Sequence, residues 1–80
     1  MPVMFEVYYR SPSDKDREAK ITGFVLKKGG RLDYRESPPA TETGSICLTY
    51  EFDERGAAET AASMLRQQGE CVEGPMEYSG

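Results

Sequence analysis

The residues that could carry chemistry are few. Two cysteines, Cys47 and Cys71, form no CxxC pair, and the chain contains no histidine. The absence of histidine removes the commonest general base, the commonest metal ligand and the Ser–His and Cys–His nucleophile pairs. Two cysteines with this spacing do not make a zinc site. We therefore expect no metal and no cofactor, and two reduced, packed thiols.

A small enzyme or ligand-binding protein remains an alternative, with a site in a cleft between sheet and helices or at the seam of a dimer. Its candidate residues are Tyr8, Asp33, Arg35 and Glu51. No spacing places two carboxylates in a dry pocket, and no nucleophile has a visible base. Surface ion pairs are the simpler interpretation of these charges.

Length and charge narrow the class of protein. The 80 residues make one small domain over 1–80, and the net charge of −4 disfavours non-specific nucleic-acid binding. The charge is uneven, +2 in residues 1–40 and −6 in residues 41–80. The sequence has no apolar run of 18 residues, so it predicts no membrane span. The N-terminus has no secretory pattern, so we expect a cytoplasmic protein.

Alternating apolar residues predict four strands. They lie at 3–10, 31–35, 46–52 and 70–78. The last strand is interrupted by Gly74-Pro75, which is typical of a sheet edge. Residues 37–44, rich in proline and polar residues, predict a mobile loop.

Two segments show helical spacing. Residues 53–69 are rich in alanine, begin after Asp53 as N-cap and end at Gly69. Residues 14–28 are ambiguous. As a helix they begin with a capping box at Ser13 and end at Gly29-Gly30, and as a strand they could pair with 31–35. The helix is favoured because the ends of both segments share an apolar-Leu-base pattern followed by glycine at an offset of 39 residues.

The resulting order, β-α-β-β-α-β, predicts an α+β, ferredoxin-like two-layer sandwich. The expected sheet is antiparallel overall, in the order 4-1-3-2, with both helices on one face. Strands 1 and 3 are expected in the centre, parallel to each other. Cys47 and Cys71 then lie two strands apart, about 9.5 Å, which is too far for a disulfide. The predicted core consists of Val3, Phe5, Val7, Tyr9, Leu32, Tyr34, Ile46, Leu48, Tyr50 and Phe52 from the strands, with Ile21, Phe24, Val25, Ala57, Ala61, Met64 and Leu65 from the helices.

The sheet face opposite the helices is the first candidate for function. A modest apolar centre ringed by charge suits an interface. The hypothesis is a non-catalytic interaction or regulatory module, a homodimer or the binder of a protein partner, that associates through this face or through an edge strand. The candidate interface residues are Met4, Tyr8, Arg10, Arg35, Cys47 and Glu51.

RNA binding in the manner of an RRM, which shares the topology, is disfavoured. Strand 3 lacks the leading base and glycine of the RNP1 pattern, and its outward residues are Cys47, Thr49 and Glu51 rather than aromatics. Only Tyr8 is placed to stack on a base.

The segment Leu-Arg-Gln-Gln-Gly-Glu-Cys-Val-Glu-Gly-Pro (65–75) resembles the helix–glycine–strand segment of many α+β modules, glyoxalase-like ones included. The metal site of that family needs histidine and glutamate ligands. Because histidine is absent, the resemblance transfers no site residue.

Overall fold

The predicted order of elements is confirmed by the computed structural model, which describes residues 2–39 and 43–77. The elements are β1 (Val3–Arg10), α1 (Lys15–Lys27), β2 (Gly30–Glu36), β3 (Ser45–Phe52), α2 (Arg55–Gln67) and β4 (Cys71–Glu77). The ambiguous segment 14–28 is helical. Residues 40–42 of the predicted loop, and Tyr78 at the end of the predicted fourth strand, lie outside the described residues.

The four strands form one sheet in the order β2-β3-β1-β4, which is the predicted order read from the other side. The central strands β1 and β3 are antiparallel, not parallel as expected. Each β-α-β crossover skips one position, so it makes β1 parallel to β2 and β3 parallel to β4, with an antiparallel neighbour inserted between the members of each pair. Every neighbouring pair is therefore antiparallel.

The core lies between the sheet and the two helices. Alternate residues of β1 and β3 are buried there, and the ring of Phe5 packs 5.3 Å from Phe52 and 5.8 Å from Tyr50, centroid to centroid. The two helices contribute differently. Helix α1 buries Ile21 and Val25, whereas α2 buries four residues, Ala58, Ala61, Ala62 and Leu65. Phe24 and Ala57, which were predicted as core residues, are only partly buried at the margin of the core. Met64, also predicted as a core residue, is only half-buried.

The predicted helix starts were each one residue off. Helix α1 is capped by Asp14, whose carboxylate accepts a hydrogen bond from the Arg17 backbone N–H at 3.0 Å, and not by Ser13. Helix α2 begins after Glu54 rather than Asp53, and its cap residue makes no side-chain hydrogen bond. Both helices end in the same way. Gly29 and Gly69 have φ of +94°, so the true offset of the repeat is 40 residues and not 39.

A bulge in β2 overturns part of the predicted core. The pairing of β2 with β3 shifts between Leu32 and Tyr34, so Asp33 is an extra residue and the alternation of faces is reset. Tyr34 then pairs with Thr49 and lies on the face away from the helices, while Arg35 pairs with Leu48 on the helix side. Leu32 stays on the helix side but at the sheet edge. Both predicted core residues, Leu32 and Tyr34, are exposed.

Candidate functional site on the open face and the β2 edge

We call the sheet surface away from the helices the open face. Cross-strand pairing places its residues in three rows that each span all four strands. The rows are Arg31–Glu51–Met4–Met76, Tyr34–Thr49–Glu6–Glu73 and Glu36–Cys47–Tyr8–Cys71. Arg10, paired with Ser45, follows the third row.

The carboxylate of Glu6 is the centre of a small hydrogen-bonded cluster on the open face. It accepts a hydrogen bond from the Tyr8 hydroxyl at 2.8 Å and one from the Cys47 thiol at 3.6 Å. The Glu6 hydrogen bond, together with partial burial, raises the pKa of the Tyr8 phenol above its usual value. Partial burial, assisted by the nearby charge of Glu6, raises the pKa of the Cys47 thiol. Both groups are therefore neutral near pH 7, and Cys47 is not an activated nucleophile.

The two cysteines lie on either side of Tyr8, because Tyr8 pairs with Cys47 on β3 and with Cys71 on β4. Both thiols are free. The predicted placement of Cys47 and Cys71 two strands apart is confirmed. Two strand spacings, about 9.5 Å, exceed the Cα separation that a disulfide allows. The expectation that both thiols are packed was wrong for Cys71, which is exposed.

The four candidate residues of an enzyme are not brought together. Tyr8 and Glu51 are on the open face, with Glu51 bonded to Arg31 at 2.7 Å. Arg35 is on the helix side, where its guanidinium holds Glu18 of α1 at 2.7 Å. Asp33 is in the bulge of the edge strand. No shared cleft joins these groups across the described residues.

A cleft of about 400 Å³ opens elsewhere, between the turn after β1 and the loop after β2. Its lining is made of serine, threonine, proline and isoleucine, and no titratable side chain lines it within the described part of the chain. The lining residues are Ser11, Pro12, Ser13, Ser37, Pro38, Pro39, Thr43 and Ile46.

The six predicted interface residues divide between the two faces. Met4, Tyr8, Arg10, Cys47 and Glu51 are on the open face, as the alternation of their strands required. Arg35 is not, because the bulge turns it toward α1. Tyr34, which sequence reasoning assigned to the core, takes a place on the open face instead. Tyr8 is therefore not the one aromatic residue on the open face. Among the described residues of this face, acids outnumber bases: the acids are Glu6, Glu36, Glu51 and Glu73, and the bases are Arg10 and Arg31.

Exposed large apolar side chains concentrate at the edge formed by β2 and the outer flank of α1, which we call the β2 edge. Among the described residues, four large hydrophobic side chains are exposed: Tyr34 (58%), Leu26 (57%), Leu32 (42%) and Met76 (39%). The first three lie on α1 or β2. Sequence reasoning missed this cluster because alternation assigned Leu32 and Tyr34 to the core and did not reveal the bulge.

Leu26 belongs to this edge by helical geometry. Glu18 faces β2, since it bonds to Arg35. At about 100° per residue, Leu26 lies roughly 80° around the helix from Glu18. Phe24 lies on the opposite flank, where Lys28 stacks over its ring at 5.6 Å and lines a cleft with Glu54 at the start of α2. Leu26 therefore lies on the flank of α1 that faces away from α2, and its side chain is exposed.

The chain matches no protein-family model and no curated protein. Across residues 2–39 and 43–77, no group of three or more histidine, cysteine, aspartate or glutamate side chains is arranged to hold a metal ion. None of the helices described here is long and apolar enough to cross a membrane.

Proposed function

We propose that the protein is a non-catalytic interaction module that self-associates, and that the β2 edge is its contact surface. The observation that carries the proposal is the exposure of Leu32 and Tyr34 on the unpaired edge strand β2, with Leu26 exposed on α1. An exposed strand edge flanked by apolar side chains on both faces is a template for pairing with another strand.

The open face is less suited to contact a second copy. Glu6, Glu51 and Glu73 are spread over two of its rows. Packing this face on its own copy brings acids close to acids, and like charges close together destabilise a complex. The polar groups at its centre are also satisfied within the chain, since Glu6 already accepts from Tyr8 and Cys47.

The opposite edge, β4, is protected against strand pairing. Pro75 has no backbone N–H to offer, and a bulge at Gly74-Pro75 interrupts its pairing with β1. Acids on this strand add charge, which is a common device for keeping edges apart. The Gly30–Glu36 segment contains no proline. Of the two edges, β2 is therefore the one without a proline, and it too has a bulge, at Asp33, and charged side chains.

Sedimentation equilibrium or light scattering after gel filtration tests the proposal. We expect the mass to rise from monomer toward dimer with concentration. The double substitution Leu26→Asp with Leu32→Asp should abolish the rise, because it places charge in the apolar contact. Met76→Asp, at the other edge, is the matched control and should leave the mass unchanged.

A monomer at millimolar concentration would refute self-association. A dimer that survives the Leu26/Leu32 double substitution but is broken by Tyr8→Asp would move the contact to the open face. Circular dichroism of every variant verifies that the fold is retained.

A further inference from the structure

We infer that β2 has two registers on β3 and that the ion pair between Glu18 and Arg35 selects the bulged one. Without this ion pair, the part of β2 beyond Asp33 shifts by one residue into a regular register. The inference concerns a single copy of the chain and does not rest on the proposed self-association.

The regular register is the one that the residue types of β2 favour. Residues 31–35 alternate without interruption between polar and apolar types, with Leu32 and Tyr34 on one face. Unbroken pairing from Leu32 onward places Tyr34 opposite Leu48, on the helix side of the sheet. The bulge instead leaves Tyr34 58% exposed on the open face. A bulge also disrupts the strand ladder locally, so the observed register needs a compensating interaction.

The ion pair of Arg35 is the interaction that the bulge gains. Beyond the bulge, Arg35 lies opposite Leu48 on the helix side. Its guanidinium donates to both carboxylate oxygens of Glu18, at 2.7 and 2.9 Å, and to the Ser13 hydroxyl at 3.0 Å. A bidentate pair of arginine with a carboxylate is among the stronger polar contacts in proteins. The regular register does not form it, because Arg35 then points to the other side of the sheet.

The shift is compatible with the rest of the chain. Eight residues, 37–44, separate β2 from β3, which is enough chain to take up one residue. In the regular register Arg35 lies opposite Cys47, whose thiol donates to Glu6, so a second carboxylate is close to its new position. The shift replaces Tyr34 by Arg35 on the open face. It therefore exchanges an aromatic side chain for a cation on a surface that is rich in acids.

An engineered disulfide to Cys47 reports the register. In a background carrying Cys71→Ser, Glu36→Cys should link to Cys47, because the two positions are directly opposed in the bulged register and opposed residues have Cα atoms about 4.5–5.5 Å apart. Adding Glu18→Ala should lower the equilibrium constant of this disulfide in a glutathione buffer about tenfold, since position 36 then turns to the helix side. Glu59→Ala, on the exposed side of α2, is the matched control and should leave the constant unchanged.

Arg35→Cys in the same background tests the inference in the opposite direction. This substitution removes the ion pair and puts a thiol at the position that the regular register brings opposite Cys47. We expect the variant to form the disulfide with Cys47. In the bulged register position 35 is on the other face of the sheet, out of reach of Cys47. Peptide mass mapping after alkylation identifies the linked pair, and circular dichroism verifies the fold of each variant.

Two results would overturn the inference. One is a Glu36→Cys disulfide of equal stability with and without Glu18→Ala, and the other is an Arg35→Cys variant that keeps both thiols free. If Glu18→Ala does not fold, Glu18→Gln takes its place in the same comparison, because it removes the charge and keeps the size of the side chain.

Discussion

The two β-α-β halves of the molecule have the same order of elements and are stabilised by different interactions. Helices α1 and α2 have 13 residues each and end in glycines with the same backbone conformation. The second half depends on apolar packing, because α2 buries four small or branched side chains and its N-cap makes no side-chain hydrogen bond. The same supersecondary unit can thus be stabilised in more than one way.

The first half depends more on polar contacts around the start of α1. Tyr9 donates its hydroxyl proton to Glu18 and accepts a hydrogen bond from the Asp14 backbone N–H at 2.8 Å. Glu18 in turn binds Arg35 of β2, and Arg17 binds Glu70 beside β4 at 2.8 Å. These side chains connect α1 to β2 at one edge of the sheet and to the residue before β4 at the other edge. Helix α2, by contrast, packs on the sheet mainly through buried alanines.

The largest expected effect is a cavity in the second half. Leu65→Ala removes a fully buried side chain of α2 and should lower the free energy of unfolding by about 2–5 kcal/mol. Leu26→Ala makes the same change on the exposed flank of α1 and should cost less than about 0.5 kcal/mol. Urea denaturation followed by circular dichroism measures both. Equal effects would show that the two helices bury comparable surface.

Replacing glycine by alanine is expected to change the stability of the fold in opposite directions at Gly30 and at Gly23. A Cβ at Gly30 would lie 2.5 Å from the Phe52 ring, so Gly30→Ala should destabilise the fold by about 1–3 kcal/mol. Gly23, in the interior of α1, has open space around it, so Gly23→Ala should stabilise by about 0.5–1 kcal/mol. Thermal melting of both variants measures the two changes in stability. Stabilisation by Gly30→Ala would contradict the tight contact at the start of β2.

The helix caps sharpen the comparison between the halves. Asp14→Ala removes the side-chain cap of α1 and should cost about 1 kcal/mol. Glu54→Ala changes the corresponding residue of α2, which makes no such bond, and should be nearly neutral. Denaturant midpoints of the two variants provide the test, and a larger loss from Glu54→Ala would reverse the assignment.

The smallest expected effect is a dependence on pH in the first half. The hydrogen bonds from Arg35 lower the pKa of Glu18 below its usual value, against the opposing effect of burial. A lowered folded-state pKa stabilises the fold above the unfolded value of about 4.3, and the stabilisation is lost as pH falls through the folded pKa. Glu18→Gln should reduce this acid sensitivity, whereas Glu59→Gln on the exposed side of α2 should not. Melting temperatures between pH 7 and pH 3 measure the difference, and equal acid sensitivity of the native chain and Glu18→Gln would contradict it.

Much of the fold followed from local pattern. The alternation Val3-Phe5-Val7-Tyr9 predicted a strand with one buried face, and the bounds of β1 agree with that prediction. The helical interpretation of residues 14–28, which was favoured because its glycine ending has a counterpart at Gly69, was confirmed by the observed helix. The caps were misplaced by one residue, since Ser13 and Asp14 are both good N-caps and only the path of the chain after β1 selects between them.

The candidate contact surface was less predictable. A strand pattern gives the face of each residue only while the alternation is unbroken, and one extra residue reverses every assignment beyond it. Leu32-Asp33-Tyr34-Arg35 retains a regular apolar–polar alternation, so nothing in its residue types marks Asp33 as a bulge. The sequence also does not distinguish an edge strand from a central one when no proline is present.

The amino-acid sequence alone determined the order of the elements, the faces of β1 and β3 and the absence of histidine chemistry. These properties depend on residue type and short-range periodicity. The tertiary structure decided that Arg35 turns toward Glu18, that Tyr34 reaches the open face, and that Leu32 is exposed on the edge strand. Those outcomes depend on how β2 pairs with β3 and where α1 rests, which are long-range contacts that no local pattern encodes.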